Sequence, residues 1–140
     1  MTTALQPYLF FNGRCEEAIN YYKSALGAEV VLLLRFSESP DPLPPEMIPP
    51  RWETKIMHGE LSIGQTRVFV SDGCDSNGGF DGFALSLSVA TEGEVDSLFN
   101  SLAAEGNITM PLGKTFWSPH FGMLQDRFGL SWMIGVEVNT

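Results

Sequence analysis

The chain has 140 residues, 44% of them hydrophobic, and a formal net charge of −9 from 17 acidic and 8 basic side chains. This length suits one compact domain with a single core, and the negative charge disfavours nucleic acid and anionic lipid as partners. No apolar run approaches the roughly 20 residues that span a bilayer, and the first residues lack the charge and apolar stretch of a signal peptide, so we expect a cytoplasmic protein.

The first half of the chain reads as one strand, one helix and three further strands. An aromatic run at 8–11 leads into a helix that begins near Arg14, carries acids in its first turn and ends at Gly27. The apolar stripe of this helix has i, i+3, i+7 spacing and consists of Ile19, Tyr22 and Leu26. Three strand-like segments follow, at 30–36, 54–63 and 66–71.

The second half repeats this order. Strand 83–89 alternates apolar and small residues, and Thr91 with Glu94 predicts the start of a helix that ends at Gly106. The apolar stripe has the spacing of the first helix and consists of Val95, Leu98 and Leu102. Three strand-like segments follow, at 107–114, 115–125 and 130–138, and the last two are joined by a tight turn at 126–129 with Gly129 in the left-handed position.

We therefore predict a single domain, 1–140, built from two βαβββ modules at 5–73 and 82–138, with a linker at 74–81. Segment 37–51 holds six of the nine prolines, which excludes helix and inner strand and predicts a functional or mobile loop. Cys15 and Cys74 are expected to be free thiols in a reducing compartment.

Several motifs together resemble the PhnB-like branch of the vicinal-oxygen-chelate superfamily, which includes glyoxalase I, extradiol dioxygenases and bleomycin- and fosfomycin-resistance proteins. The motifs are PYLFFNG at 7–13, EAINYY at 17–22, LGAE at 26–29, TFWSPHFG at 115–122, DRFG at 126–129 and WMI at 132–134. The resemblance implies an α+β fold in which paired βαβββ modules form curved mixed sheets around a cleft. Members of this branch have been labelled 3-demethylubiquinone methyltransferase-like. The sequence lacks a Gly-rich loop for a nucleotide-like cofactor, so we do not expect methyl transfer.

Alternation along the strands predicts which side chains face the cleft. In strand 54–63, Met57, Leu61 and Ile63 share the apolar face that covers the helix. The cleft side is expected to carry Ile56, His58, Glu60 and Ser62. In the second module the expected cleft residues are Ala84, Ser86, Ser88, Ser131, Met133 and Gly135, with Trp132 in the core.

The resemblance implies a site for four metal ligands, but this sequence supplies only part of the set. Met133 stands where the family has a carboxylate, and the first strand of module two offers Ala84 or Ser86. His58 and Glu60 therefore form at most half a site, because hard and borderline ions take three or more oxygen or nitrogen ligands. No cofactor is certain, and a divalent ion on His58 and Glu60 completed by water or substrate stays open.

The candidate catalytic residues are His58, Glu60 and His120, as general bases or ligand contacts. The candidate ligand-binding residues are Tyr8, Phe10, Ser86, Trp117 and Met133. Structural alternatives stand beside them: a hydrogen-bonded structural histidine, a solvated Glu60, and core positions for the aromatic side chains. Asp72 and Asp75 are expected to be solvated.

Two functions follow from the resemblance. One is a metal-assisted enzyme acting on a small molecule in an aromatic-lined cleft. The alternative is a non-catalytic protein that binds or sequesters a small molecule, as resistance proteins of the superfamily do; a scaffold role is a third. The superfamily commonly pairs modules across a dimer interface, so we expect a homodimer.

Overall fold

The computed structural model describes residues 3–41, 44–74 and 77–137 of the chain. These residues divide into two compact units, 1–78 and 79–140. Each unit contains one mixed four-stranded sheet and one α-helix. Within the described residues, neither helix has the length and apolar character needed to cross a membrane.

Unit 1 has the predicted order of strand, helix and three strands. The elements are β1 (Tyr8–Phe10), α1 (Cys15–Leu26), β2 (Glu29–Arg35), β3 (Ile56–Ile63) and β4 (Thr66–Ser71). In the sheet the order is β1-β4-β3-β2, with β1 parallel to β4 and the other pairs antiparallel. Because β1 pairs with the last strand of the unit, the aromatic start of the chain lies beside β4.

Helix α1 is held at its start by a buried carboxylate and at its end by the glycine that its sequence predicts. Gly13, two residues before the helix, has φ +102°, and its amide, like that of Cys15, donates to the buried carboxylate of Asp72. At the other end Gly27 adopts the left-handed conformation with φ +67° and donates to the carbonyl of Lys23. The buried side of the helix includes Ile19 and Tyr22, as predicted.

The core of unit 1 lies between α1 and one face of the sheet. Residues that alternate along β1, β3 and β4 share this face, and they are Leu9, Leu61, Val68 and Val70. The opposite face carries the residues between them in sequence. The sheet therefore has one face covered by α1 and one face that the helix leaves open.

Unit 2 repeats this architecture. Its elements are β5 (Leu85–Val89), α2 (Glu92–Ala103), β6 (Asn107–Gly113), β7 (Phe121–Gln125) and β8 (Ser131–Val136). In the sheet the order is β5-β8-β7-β6, with β5 parallel to β8. The predicted N-cap is confirmed, because the Thr91 hydroxyl accepts the Glu94 amide at 3.2 Å. The core of the unit includes Val95, Phe99, Leu102, Leu124, Leu130, Trp132 and Ile134.

The turn between β7 and β8 is held by a buried carboxylate. Asp126 accepts the amides of Phe128 and Leu130 and the indole N–H of Trp132 at 2.9–3.1 Å. Gly129 closes the turn with φ +85° and donates to the Asp126 carbonyl, as predicted. The two units confirm the predicted α+β fold of paired βαβββ modules.

Three predicted boundaries are wrong. Segment 115–125 is not one strand, because the Ser118 hydroxyl donates to the His120 and Val136 carbonyls and folds 115–120 into a turn before β7. Helix α2 ends at Ala103, before Gly106, because Ala104 leaves the helical conformation. The proline-rich segment holds a short 3-10 helix, Pro45–Met47, since proline is tolerated in a first helical turn.

Two predicted exposures are also wrong. Ile56 is fully buried instead of facing the open side, because an extra residue in β3 between the partners of Leu34 and Arg35 shifts the alternation. Asp72 is fully buried and hydrogen-bonded instead of solvated. Asp75, Pro42 and Val138 lie outside the described residues.

Candidate functional site

The open face of the unit 1 sheet carries a cluster of aromatic side chains. Strand register puts Tyr8 of β1 beside Phe69 of β4, and Phe69 beside Glu60 of β3. Paired residues on neighbouring strands project to the same side, so this row lies opposite the core residues Leu9 and Val70. We call the set Tyr8, Phe10, His58 and Phe69 the aromatic face.

The rings of the aromatic face contact one another. Tyr8 and Phe10 are stacked with centroids 4.9 Å apart, and Tyr8 lies 5.7 Å from Phe69 and 5.6 Å from His58. His58 in turn lies 5.4 Å from Phe69. Tyr8 is 41% exposed and Phe10 48% exposed. A connected set of rings with this much exposed area is a surface on which a flat apolar molecule can pack.

A hydrogen bond joins the two titratable members of the aromatic face. The Tyr8 hydroxyl lies 2.9 Å from Nδ1 of His58. Burial raises the pKa of the Tyr8 phenol above its ordinary value, so the phenol keeps its proton at neutral pH. In the tautomer in which the phenol donates to Nδ1, the neutral His58 ring holds its proton on Nε2. This orientation leaves Nε2 as the ring atom that can contact a bound molecule.

An ion pair joins β3 and β4 on the same face of the sheet. The Glu60 carboxylate accepts from Arg67 at 2.7 Å, and the Glu60 side chain is only 19% exposed. Glu60 is therefore paired, which excludes the predicted alternative of a solvated carboxylate. His58 and Glu60 both lie on the open face, as the alternation of β3 predicts, while Arg67 was not predicted.

Two of the predicted site residues of unit 2, Ser86 and Met133, lie on the corresponding face of the second sheet. Ser86 of β5 pairs with Met133 of β8, and Met133 pairs with Met123 of β7. Trp132 and Ile134 alternate with Met133 and are buried, as predicted. Met133 is half-buried on the face that α2 leaves open.

In unit 2, Trp117 is positioned by an aromatic contact. Its ring meets Phe121 edge-on with centroids 5.3 Å apart, and Trp117 is 47% exposed. Phe121 lies over Gly135, where an added Cβ would come within 2.8 Å of the ring. Trp117 therefore extends a buried ring towards solvent, and its role as a wall of a binding surface stays a prediction.

His120 lies against the helix of unit 2. Its Nε2 is 2.6 Å from a carboxylate oxygen of Asp96, which is on α2. Phe121, the next residue, pairs with Gly135 on the open face, so alternation directs His120 to the side of the sheet that α2 covers. The imidazole is 20% exposed. The structural alternative for His120 thus gains support, and its catalytic role stays a prediction.

The residues that the structure describes do not assemble the donor set of a divalent metal site. Across 3–41, 44–74 and 77–137, no three His, Cys, Asp or Glu side chains lie close enough to hold one ion. The two predicted donors on the open face of unit 1 already have partners, Tyr8 for His58 and Arg67 for Glu60. These pairings compete with coordination of a divalent ion at His58 and Glu60.

Both turns that lead from a strand into a helix are closed by the protein's own side chains. At the start of α1 the amides of Gly13 and Cys15 bind Asp72, and at the start of α2 the Thr91 hydroxyl caps the helix. These are the positions where a strand–loop–helix fold binds a nucleotide-like cofactor. The described residues at these two positions do not suit a nucleotide-like cofactor that would donate a methyl group, in agreement with the expectation against methyl transfer.

Two residues of the unit 1 site were not predicted from the sequence. Phe69 and Arg67 lie on β4, whose alternation with buried Val68 and Val70 directs both to the open face. The hairpin turn after Ile63 sets the pairing of β3 with β4, so this row could have been predicted from the tight turn alone.

Comparison with known proteins places the chain in a family. Residues 3–135 match the family described as 3-demethylubiquinone-9 3-methyltransferase. Protein YjdN of Escherichia coli is 37% identical, over 94% of each chain. Protein PA1353 from Pseudomonas aeruginosa is 39% identical with a TM-score of 0.85, over 99% of this chain and 100% of that one.

A solved PhnB protein from Bacillus cereus is 28% identical with a TM-score of 0.79, over 96% of this chain and all of that one. A glyoxylase/bleomycin resistance protein/dioxygenase domain from Frankia has 14% identity and a TM-score of 0.67, which shows the fold alone. The chain therefore belongs to the family described as 3-demethylubiquinone-9 3-methyltransferase, which fits its similarity to the solved PhnB protein.

Proposed function

We propose that this protein binds a small planar molecule on the aromatic face of unit 1. The observation that carries the proposal is the stacked pair Tyr8 and Phe10, whose rings are 41% and 48% exposed on the sheet face that α1 leaves open. Exposed, mutually packed rings give a large contact area, and little side-chain entropy is lost when a ligand packs on them.

Polar groups at the border of the aromatic face give the ligand its orientation. His58 Nε2 supplies one hydrogen-bonding atom, and the Glu60–Arg67 pair supplies both charges. Arg67 is 52% exposed, so a ligand anion can share its guanidinium with Glu60. A flat apolar molecule with an acidic group at its edge matches this arrangement. The net charge of −9 supports a small molecule over nucleic acid.

The test uses 1-anilinonaphthalene-8-sulfonate, which combines aromatic rings with an anionic group. We expect saturable fluorescence enhancement, at least tenfold weaker binding in Phe10→Ala, and weaker binding in Arg67→Ala. The matched control is Phe116→Ala, because Phe116 is an aromatic residue of unit 2 that is 97% exposed. Equal loss of binding in Phe10→Ala and Phe116→Ala would show that the dye reads general hydrophobicity, and the proposal would fail.

A second candidate function is catalysis by the Tyr8–His58 pair. Its supporting observation is the 2.9 Å contact between the phenol and Nδ1, because a positioned imidazole can transfer a proton to or from a bound molecule. Compounds that displace the dye would be incubated with the protein and followed by proton NMR. Conversion by the native protein, lost in His58→Gln with displacement intact, supports an enzyme. Displacement without any conversion supports the non-catalytic binding protein.

We also propose that the protein forms a homodimer. Strand β2 is one of the two edge strands of the unit 1 sheet. It carries four consecutive apolar residues that are 37–51% exposed: Val30, Val31, Leu32 and Leu33. An apolar edge of this length in a soluble protein favours association with another chain. Light scattering at micromolar concentration should give twice the monomer mass, and Leu32→Lys should shift the mass towards the monomer. A monomeric native protein contradicts the proposal.

We further propose that the protein is located in the cytoplasm. Cys15 is buried and Cys74 is exposed, and neither forms a disulfide. Free thiols of this kind persist in a reducing compartment. Fractionation of cells that express the protein should recover it with cytosolic markers.

A further inference from the structure

A row of three methionines crosses the open face of the unit 2 sheet. Met110 of β6 pairs with Met123 of β7, and Met123 pairs with Met133 of β8. The chain contains six methionines, so half of them meet in this one row. We call Met110, Met123 and Met133 the methionine row.

Two irregularities in β6 bring Met110 into the row. The register shifts on both sides of Met110, between Ile108 and Met110 and between Met110 and Gly113. A Cβ on Gly122 would meet Leu112 and Phe99 of α2, so Leu112 lies on the helix side of the sheet. Met110, paired with Met123, lies on the other side. The strand departs from regular alternation on either side of the residue that completes the row.

The geometry allows three sulfur atoms to converge. Neighbouring strands lie about 5 Å apart, and each methionine has three rotatable side-chain bonds. The two outer thioethers can therefore lean over the central strand towards Met123. All three side chains are half-buried, which keeps them reachable while packing limits their freedom. Ser86, beside Met133, offers a hydroxyl at the end of the row.

We propose that the methionine row binds a soft monovalent metal ion of the Cu(I) type. Thioether sulfur is a soft, uncharged ligand that selects Cu(I) over hard divalent ions. Within the described residues no His, Cys, Asp and Glu cluster offers a competing site. The net charge of −9 favours the approach of a cation. The proposal concerns unit 2 only and is independent of ligand binding on the aromatic face.

The test uses protein labelled with ¹³C at the methionine methyl groups, in a Cys74→Ser background that removes the exposed thiol. Cu(I) is kept reduced with ascorbate under anaerobic conditions. We expect the methyl resonances of Met110, Met123 and Met133 to shift together and to saturate at one equivalent of the ion. Resonances of Met47 and Met57 should stay in place. Failure of the three resonances to shift would mean that the row is only an apolar surface.

A pair of variants makes the assignment specific. Met123→Leu conserves volume and apolar character but removes the central sulfur, so we expect at least tenfold weaker Cu(I) binding in competition with a coloured chelator. The matched control is Met57→Leu, a half-buried methionine on β3 that should bind as the parent does. Circular dichroism of both variants checks that the fold is intact. Equal affinities in the two variants would overturn the proposal.

Discussion

Asp72 shows how one side chain can hold several parts of unit 1 together. Its two oxygens accept three backbone amides at 2.7–2.9 Å, from Gly13 and Cys15 at the start of α1 and from Ile56 at the start of β3. The carboxylate is fully buried, so the amides replace its hydration. Asp72, which follows β4, thus joins the start of α1 and the bulged end of β3 to the end of β4.

We expect Asp72→Asn to lower the free energy of unfolding by about 2 kcal/mol or more. The amide group would turn an N–H towards a backbone N–H and leave a buried donor unpaired. Urea unfolding monitored by circular dichroism measures the change. Asp81→Asn serves as the control, because Asp81 is exposed and its replacement should change stability by under about 0.5 kcal/mol. A similar small change in both variants would contradict the role given to Asp72.

Cys15 makes stability depend on pH in the alkaline range. Burial, with the negative charges of Asp72 and Glu16, raises the pKa of this thiol above its ordinary value of 9.0. The folded state therefore keeps the proton while the unfolded chain releases it above about pH 9. The contribution is present below the unfolded pKa and is lost as pH rises above it.

Between pH 8 and pH 10, the free energy of unfolding should fall more in the native protein than in Cys15→Ala. The extra slope is at most about 1.4 kcal/mol per pH unit for one thiol. Urea titrations at the two pH values give the comparison, with Cys74→Ser as the control because Cys74 is exposed. If Cys15→Ala lost stability as steeply as the native protein, other groups would be responsible.

At the scale of elements, close packing of α2 on its sheet depends on the absence of a side chain at Gly122. A Cβ there would lie 2.7 Å from Phe99, 2.9 Å from Leu112 and 3.1 Å from the Met110 carbonyl. Phe99 is one of the buried residues by which α2 contacts the core. The helix, β6 and β7 all meet at this position.

Gly122→Ala should therefore destabilise unit 2 by about 1–3 kcal/mol, the usual cost of overpacking. Gly113→Ala is the matched control on the neighbouring strand, because nothing lies within 4 Å of the Cβ it would add. Thermal unfolding of the two variants separates them. A melting temperature of Gly122→Ala equal to that of Gly113→Ala would show that α2 yields easily at this contact.

The elements differ in how far the sequence predicts them. Both helices follow from apolar spacing and end signals, which are local. Phe99 was missed because the predicted stripe places Leu98, three residues after Val95, on the buried side. Phe99 is four residues after Val95, a position that faces the core equally well. The turn at 115–120 was missed because the Ser118 hydroxyl fixes it through Val136, which is distant in sequence.

The site residues also divide into those that local sequence predicts and those that depend on distant parts of the chain. His58 was predicted to face the open side because alternation in β3 is regular from His58 to Ile63, and Tyr8 and Phe10 were candidates from the aromatic run at 8–11. Met110 was not predicted, because bulges interrupt the alternation of β6 and their number and place depend on pairing with β7.

At the scale of the whole molecule, both units place their last two strands, which pair antiparallel, in the middle of the sheet. In unit 1, β3 and β4 each have two hydrogen-bonded neighbours, and in unit 2 the same holds for β7 and β8. Strands with partners on both sides open only when the sheet itself opens.

Amide hydrogen exchange should therefore be slowest in β3, β4, β7 and β8 and faster in β2 and β6. Exchange followed by mass spectrometry on peptides from each strand checks this order. The comparison of β2 with β3 is the sharpest, because the two strands pair directly and differ in having one neighbour or two. Equal protection of β2 would instead support an additional partner along this edge, as the proposed homodimer provides.

The parallel pairing of β1 with β4 also sets an order of assembly. The contact between Tyr8 and His58 joins residues 50 positions apart, whereas β2, β3 and β4 are joined in sequence. Closing a long segment of chain costs more conformational entropy than closing a hairpin, so β1 is expected to join a meander that has already formed. During synthesis the stacked rings of Tyr8 and Phe10 would emerge before His58 and Phe69 and would stay without these partners until β4 is made. The binding surface would be the last part of unit 1 to form, and a shortened N-terminus would remove it while sparing the hairpins.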